Sequence, residues 1–411
     1  MRKGYFVPAI VVAVAMVSCG GSGVSDGLRV GIWDTNQEAA VVSVMKDFTD
    51  ETGIPVNVEV IPWDNYWTLL EAATSGGVLP DVFWMHSNQS IRYASNGILM
   101  DLTDRIASSS VTDMSKFPPE IVSLYNYGGR QFGIPKDLDT IALWYNKKLF
   151  DEAGVPYPDS TWNWDTLLDA ARRLSTGGTF GFSAAISGQS NYWPFVFQNH
   201  GWIINNDWTK SGYDDPRTIE ALQFLVDMVR DGYSPGPGVF AENNQHALFQ
   251  SGVLAMAPIG SWVVGEMNRN AYVREIAGIT VLPAGRDGTR ATIMNGLGWV
   301  ANAATKKPDD AWKLLEFLSR GDVQGKLSES GIAISAFEGT REGWVRSFPS
   351  FDLKPYIEQI PYGVLFPYSK NPIRWHSMTD QFLIQAWTGD RTVEDVGGEI
   401  ASRMNRMLAD E

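Results

Sequence analysis

The sequence is poor in the side chains that carry out covalent and metal chemistry. Its 411 residues include one cysteine and only 4 histidines. A single cysteine excludes an internal disulfide, and the histidines are too dispersed for the short ligand spacing of a zinc site. We therefore expect no catalytic residue, no metal and no cofactor. The histidines are His86, His200, His246 and His376.

Positive charge is also scarce. There are 33 lysines and arginines against 47 aspartates and glutamates, which gives a formal net charge of −14. A field of that sign repels phosphate backbones, so nucleic acid is not an expected partner. Beyond the N-terminal region, no uninterrupted apolar run reaches the length needed to span a bilayer.

Aromatic side chains are abundant instead. They make up 12% of the chain and include 16 tryptophans. Large flat rings with few nucleophiles suit contact with a ligand better than bond breaking. A chain of this length exceeds one compact core, so we expect two lobes of roughly 150 to 200 residues each.

The N-terminus predicts export and lipid anchoring. Arg2 and Lys3 precede a mainly apolar stretch at residues 5–17, so residues 1–18 are predicted to be a signal peptide. Cys19 follows directly, and its context resembles the lipobox of bacterial lipoproteins. We expect residues 19–27 to be a lipidated cysteine with a flexible Gly/Ser tether. The mature chain is then expected at the extracytoplasmic face of the cell membrane, held by the lipid alone.

Strand and helix patterns alternate along the first 150 residues. Residues 28–33, 56–61 and 81–85 are predicted strands, and helical patterns separate them. Val41, Val44, Met45 and Phe48 recur at helical spacing before Gly53 in the first of these helices. This alternation predicts an α/β fold with a largely parallel sheet.

Three later helices have recognisable first turns. Asp215 with Pro216 predicts a cap and first-turn pair, and Pro308 opens a second helix. Thr392 and Asp395 have the spacing of a capping box before a third helix.

Several segments together resemble family 1 of the extracellular solute-binding proteins, the maltose-binding-protein-like carbohydrate receptors of ABC importers. Their order and spacing along the mature chain carry the resemblance. The segments are residues 28–33, GGVLPDVFWMHSNQ (76–89), GIPKDLDTIALWYNKKLFDEAGV (133–155), TWNWDTLLDAARRL (161–174), ALFQSGVLAMAPIGSW (247–262), MNGLGWVANAATKKPDDAWKLLEFL (294–318) and TGDRTVEDV (388–396).

The resemblance implies two discontinuous α/β lobes, of the type II periplasmic-binding-protein kind, joined by a hinge of crossing segments. The crossings fall near residues 139–144, 295–300 and 331–337. Lobe 1 is therefore expected to hold residues 28–138 plus 301–334, and lobe 2 residues 139–300 plus 335–411. It also implies a monomeric receptor that delivers a small carbohydrate to ABC importer permease subunits.

Candidate contacts in lobe 1 follow predicted strand ends. Trp33 ends the first strand with Asn36 close behind it, and Trp84 ends the third strand before Ser87 and Asn88. Flat rings cover the C–H faces of a sugar, and short polar side chains bind its hydroxyls. Burial of both tryptophans in the core is the competing interpretation.

Asp137 and Asp139 lie two residues apart in a predicted extended run. Their side chains would share one face at roughly 6 to 7 Å. That separation is close to the carboxyl spacing of a glycosidase, so a lipoprotein glycosidase is a real alternative. The family resemblance instead makes Asp139 an acceptor for sugar hydroxyls.

Lobe 2 and the hinge supply the remaining candidates. The resemblance implies stacking on sugar rings by tryptophans of the second lobe and a hinge contact from an asparagine of the second crossing. These residues are Trp193, Trp262, Trp375 and Asn295.

The leading interpretation is a receptor for a neutral oligosaccharide. A receptor for a cationic solute such as a polyamine is a variant, because acidic groups and aromatic walls also suit cations. A glycan adhesin without an importer is a further alternative.

Overall fold

The computed structural model describes residues 27–76 and 79–411. The predicted signal peptide, Cys19 and most of the tether lie outside the described residues. Within the described residues, no helix has both the length and the apolarity needed to cross a membrane.

Strands and helices alternate along the chain. The strands are β1 Leu28–Ile32, β2 Val56–Val60, β3 Val82–Met85, β4 Asn126–Tyr127, β5 Arg130–Gln131, β6 Gly133–Pro135, β7 Asp137–Leu138, β8 Ile141–Asn146, β9 Met256–Gly260, β10 Ala277–Thr280, β11 Thr292–Met294, β12 Gly298–Ala301, β13 Ile334–Ser335 and β14 Gly363–Leu365.

The helices cover the sheets. They are α1 Glu38–Thr52, α2 Trp63–Gly76, α3 Ser87–Ser95, α4 Thr103–Ser108, α5 Pro119–Ser123, α6 Lys147–Ala153, α7 Trp164–Leu174, α8 Trp193–Gln198, α9 Pro216–Arg230, α10 Pro237–Glu242, α11 Gln245–Gln250, α12 Val264–Arg269, α13 Ala271–Ile276, α14 Pro308–Leu318, α15 Gly321–Glu329, α16 Arg341–Arg346, α17 Lys354–Glu358, α18 Pro372–Trp387 and α19 Val393–Ala409.

The first lobe is built on a five-stranded sheet in the order β2-β1-β3-β12-β6. The first three strands are parallel, as predicted, and β12 runs antiparallel between β3 and β6. Helix α1 buries Val41, Val44, Met45 and Phe48 and ends at left-handed Gly53, which confirms that prediction. Trp299 of β12 lies in the same core cluster as β1 and α14.

The second lobe contains an antiparallel sheet in the order β10-β8-β9. Its helices begin as the sequence predicts. The side chain of Asp215 caps α9, and the side chain of Thr392 accepts a hydrogen bond from the backbone N–H of Asp395 at the start of α19.

Three segments cross side by side between the sheets. Strand β7 pairs with β13, and Asp139 forms an isolated bridge with Asn295. The predicted lobe boundary at residue 301 needs correction, because β12 begins at Gly298 and hydrogen-bonds within the first sheet. The second crossing therefore ends before Gly298, three residues earlier than the predicted end at residue 300.

Candidate ligand-binding cleft

A cavity of about 620 Å³ lies where the crossing segments meet the two sheets. Its lining residues come from both predicted lobes and from the crossings. They are Trp33, Asp34, Asn36, Gln37, Trp63, His86, Asp137, Leu138, Asp139, Gln189, Asn244, His246, Ser261, Trp262, Val263, Glu266, Leu297 and Ala333. This volume is within the range of small-molecule sites.

The first-lobe wall is made by Trp33 and Trp63. Their ring centroids are 5.2 Å apart at an interplanar angle of 71°. Trp63 opens α2 and remains 42% exposed. The ring centroid of Trp84, a predicted ligand contact, lies 5.1 Å from that of Trp33, but Trp84 is completely buried and does not line the cavity. Strand β3 is buried on both faces, which places the Trp84 ring in the core.

A turn after β1 supplies hydrogen-bonding groups beside this wall. The Asp34 carboxylate accepts bonds from the backbone N–H of Asn36 at 2.8 Å and from Gln37 Nε2 at 2.9 Å. Asn36 is exposed and lines the cavity, as predicted from its place after the strand.

The hinge holds a buried ion pair. Lys136 Nζ lies 2.6 Å from Asp137 Oδ2, and the other oxygen of Asp137 accepts a bond from the backbone N–H of Leu297 at 2.7 Å. Lys136 also donates to Gln37 Oε1 at 3.1 Å, and it lies 4.4 Å from the ring centroid of Trp84. Both oxygens of Asp137 thus accept a hydrogen bond at the cavity wall.

Asp139 has different surroundings. One oxygen accepts a bond from Gln189 Nε2 at 2.8 Å. The backbone N–H of Asn295 also interacts with this carboxyl. Burial, and then the negative charge of Asp137, raise the pKa of Asp139 well above 3.8, which favours the protonated acid. This group can donate or accept a hydrogen bond on the cavity wall.

Two predicted contacts, Ser87 and Asn295, form a network with His86 behind the cavity instead of lining it. Ser87 Oγ donates to Asn295 Oδ1 at 2.6 Å, and Asn295 Nδ2 lies 3.2 Å from His86 Nε2. Ser87 and Asn295 are buried, and neither they nor Asn88 line the cavity. His86 presents its ring in their place, and burial lowers its pKa to about 4, so the ring is neutral.

The second-lobe wall is centred on Trp262, which is 37% exposed and lines the cavity as predicted. It lies in a short 3-10 turn directly after β9. A Cβ on Gly260 would lie 2.2 Å from the Trp262 ring, so only glycine lets the ring lie across this strand end. Glu266, one helical turn later, accepts a bond from Gln250 Nε2 at 2.8 Å.

Trp193 and Trp375 do not reach the cavity. They are 3% and 0% exposed, within the main core of the second lobe. Trp193 Nε1 donates to Tyr213 Oη at 3.2 Å, and Trp375 Nε1 donates to Ser369 Oγ at 3.0 Å. Helices α8 and α18 turn these two rings into the core, so the structure does not bring them to the cavity with the other predicted contacts.

Several lining residues were missed from the sequence. Trp63 and Glu266 carried detectable signals, since Trp63 precedes Trp67 by one helical turn and Glu266 follows Trp262 by one. Gln189 and His246 carried none, because tertiary packing alone brings them to the cleft. Among the described residues, no group of three or more histidines, cysteines or carboxylates could hold a metal ion.

The comparisons with known proteins agree on one protein family. Residues 33–324 match the family model of the bacterial extracellular solute-binding protein. A putative binding protein of Brucella abortus is 28% identical over 294 residues, covering 70% of each chain. An arabinooligosaccharide-binding protein of Halalkalibacterium halodurans is 28% identical over 320 residues, covering 74% of this chain and 68% of the relative.

Other relatives bind a different class of solute. The sn-glycerol-3-phosphate-binding periplasmic protein of Rhizobium meliloti is 25% identical over 271 residues, covering 61% of each chain.

Among solved structures, an ABC substrate-binding protein of Listeria monocytogenes in complex with cycloalternan has a TM-score of 0.86 at 24% identity. The match covers 93% of this chain and 99% of that one. The structural similarity establishes a two-lobed type II fold.

Proposed function

Because the chain belongs to the family of bacterial extracellular solute-binding proteins, we propose that it captures a neutral oligosaccharide and delivers it to an ABC importer. The observation that carries the proposal is the cavity between Trp33 and Trp63 on one wall and Trp262 on the other. Aromatic rings on both sides can cover the faces of sugar rings, while amides and carboxyls bind the hydroxyls.

The charges of the cleft favour a sugar over a phosphate ester. Among the described residues, no lysine or arginine lines the cavity, whereas Asp34, Asp139 and Glu266 do. The nearest buried cation, Lys136, is bound to Asp137 and Gln37. A phosphate would therefore lose its water without gaining a cationic partner. The oligosaccharide-binding relatives support the same choice.

A glycosidase is the weaker alternative. It would need one carboxyl as acid and the other as base or nucleophile. Each oxygen of Asp137 already accepts a hydrogen bond, one from Lys136 and one from the backbone of Leu297, and the ion pair disfavours attack of this carboxylate on a glycosidic carbon. We therefore propose binding without turnover.

A cationic solute remains the second candidate, because Asp34 and Glu266 line the same cavity as Trp262. Carboxylates and aromatic faces also attract ammonium groups. Spermidine belongs in the binding panel for this reason.

The proposal includes the setting of the receptor. We propose a monomer, anchored by a lipid on Cys19 at the extracytoplasmic face of the membrane, which presents its closed form to permease subunits. With residues 298–300 reassigned to the first sheet, lobe 1 would hold residues 28–138 plus 298–334, and lobe 2 would hold residues 139–297 plus 335–411.

Isothermal titration calorimetry against neutral oligosaccharides, sn-glycerol 3-phosphate and spermidine tests this proposal. At least one neutral oligosaccharide should bind, and Trp262→Ala and Asp139→Ala should each weaken it by about tenfold or more. Tyr157→Ala is the matched control, since Tyr157 is 41% exposed but does not line the cavity. Wild-type affinity in both cleft variants would show that the site assignment is wrong.

A further inference from the structure

A rare helical turn links the cleft to the core of the second lobe. Residues Gly188–Tyr192 form a π-helical turn, called the π-turn below, which leads into α8. The backbone N–H of Trp193 donates to the carbonyl of Gly188, five residues earlier. A Cβ on Gly188 would lie 2.5 Å from the Trp193 ring, so the indole closes over the start of the turn. Such turns are uncommon and are frequently found at functional sites.

The first half of the π-turn faces the cleft. Gln189 lines the cavity, and its Nε2 donates to Asp139 Oδ1 at 2.8 Å. This bond helps to fix the orientation of the Asp139 carboxyl group. A binding group is only as well placed as the neighbours that hold it, so the position of Gln189 affects the hydrogen bonds that Asp139 can offer to a ligand.

The other end of the π-turn is bound to a second carboxyl group, outside the cavity. The Tyr192 hydroxyl donates to Asp380 Oδ1 on α18 at 3.3 Å and lies 3.1 Å from the Tyr213 hydroxyl. Trp193 Nε1 donates to the same Tyr213 hydroxyl at 3.2 Å. Tyr192 has one hydroxyl proton, which goes to Asp380, so Tyr213 donates to Tyr192 in turn. The chain of hydrogen bonds thus ends on Asp380.

The strength of this last bond depends on the charge of Asp380. Burial raises the pKa of Asp380 to about 6, so the carboxylate present at about pH 7.5 is largely protonated at about pH 5. Burial also raises the pKa of Tyr192 and of Tyr213, so both hydroxyls keep their protons over this range. A hydrogen bond to a carboxylate is roughly twice as strong as one between neutral groups. Tyr192 is therefore held most firmly when Asp380 is charged.

The other charged groups around α18 have partners of their own or are exposed. Helices α3, α9 and α19 pack against α18. His376 lies one turn before Asp380, and burial lowers its pKa to about 3, so it is neutral above about pH 5. Three charged side chains on the packed helices are partly buried, and each has an ion-pair partner; they are Arg92 with Glu71, Asp227 with Arg230, and Glu399 with Arg403. The remaining ones on these helices are exposed.

We propose that Asp380 is a positioning residue of the cleft, which through Tyr192 holds Gln189 in place against Asp139, and that loss of its negative charge lowers the affinity for saccharide. The proposal rests on the proposed function. Gln189 and Tyr192 lie three residues apart in one hydrogen-bonded turn, so a shift at one end is passed to the other.

The test is isothermal titration calorimetry at about pH 5 and about pH 7.5 with maltotetraose, arabinotetraose and galactotetraose. Asp380→Asn has no charge at either pH. It should bind the saccharide about tenfold more weakly than the wild type at about pH 7.5, and about equally at about pH 5. Titration of Asp139 is common to both proteins and cancels in this ratio. Asp214→Asn, which removes an exposed carboxylate beside Tyr213, should match the wild type at both pH values.

A second variant tests the route through the π-turn. In a Gln189→Ala background, Asp380→Asn should have no further effect on affinity, because the side chain that Asp380 positions is absent. The melting temperature of Asp380→Asn at about pH 7.5 should not fall below that of the wild type. The reason is that a carboxyl group with a raised pKa lowers the stability of the folded wild type once it is ionised.

The outcomes separate this role from the function on which it rests. If a saccharide binds but Asp380→Asn weakens it equally at both pH values, or not at all, the positioning role is overturned and the proposed function stands. A tenfold loss that persists in the Gln189→Ala background also overturns it. If the wild type binds none of the saccharides, the proposed function fails, and the positioning role fails with it.

Discussion

Two aspartates, two residues apart, have opposite electrostatic surroundings in this hinge. Asp137 is paired with Lys136 at 2.6 Å, whereas Asp139 faces the cavity with an amide partner and no cation in contact. A buried carboxyl without a cation is more stable when it is protonated. The raised pKa of Asp139 favours the protonated form, which can donate a hydrogen bond to a sugar hydroxyl.

Replacing Asp139 with asparagine should change how stability depends on pH. The pKa of Asp139 is raised above its unfolded value of about 3.8 by burial and by Asp137. The folded chain thus retains a proton that the unfolded chain releases, and the free energy of unfolding falls as pH rises above about 4. Asp139→Asn lacks this loss, so its stability relative to the wild type should rise from about pH 4 to about pH 7.

Urea unfolding at several pH values measures this difference. Asp207→Asn, which removes an exposed loop carboxylate, controls for the loss of one negative charge. If the stability of Asp139→Asn relative to the wild type falls as pH rises, the buried environment assigned to Asp139 is contradicted.

The sequence located some cleft residues because strand ends are readable. Trp33, Asn36 and Trp262 follow β1 or β9, where side chains leave the sheet at its edge. Trp84 looked equivalent, but strand β3 is buried on both faces. Trp375, which the family resemblance alone implied, lies on helix α18 with its ring in the core of the second lobe. Periodicity within one segment does not contain that information.

The turn after β9 is the element that aims Trp262. Gly260 has an extended backbone with φ of −74°, which any residue can adopt, and the nearest atoms that a Cβ there would meet belong to the Trp262 ring. Gly260→Ala should therefore displace the ring and weaken saccharide binding by roughly tenfold, with little change in melting temperature.

A double-mutant cycle isolates this effect. In a Trp262→Ala background, Gly260→Ala should have no further effect on affinity, because the ring that it displaces is absent. Additive losses in calorimetry would show that Gly260 acts by another route.

The hinge strands depend on the Lys136–Asp137 pair. Lys136→Met leaves a carboxylate buried without a cation, which typically costs about 3 to 5 kcal/mol in the free energy of unfolding. Adding Asp137→Asn should recover much of the loss, because an amide oxygen can still accept the N–H of Leu297. Chemical denaturation of the single and double variants measures the loss of unfolding free energy and its recovery. A loss below about 1 kcal/mol in Lys136→Met would contradict the pair's role.

Elements were predicted more fully than the contacts between them. Helix starts at Asp215, Pro308 and Thr392 are local, since caps and first-turn prolines act within a few residues. The sequence placed the start of the second part of lobe 1 at residue 301, three residues after β12 begins at Gly298. The position of β12 in the first sheet depends on its pairing with β3 and β6, which the local sequence does not encode.

At the scale of the whole molecule, the account requires two bodies that close on a ligand. The cavity walls come from different sheets, and crossing segments that pair through β7–β13 and the Asp139–Asn295 bridge run between them. A ligand that touches both walls only when the cleft is shut binds the closed form more tightly and shifts the population toward it.

Small-angle X-ray scattering of the mature protein, with and without a saturating neutral oligosaccharide, tests this claim most directly. The account predicts a smaller radius of gyration with the saccharide present, and a smaller response in Trp262→Ala at the same concentration. A radius that the bound saccharide leaves unchanged would contradict capture between two closing lobes.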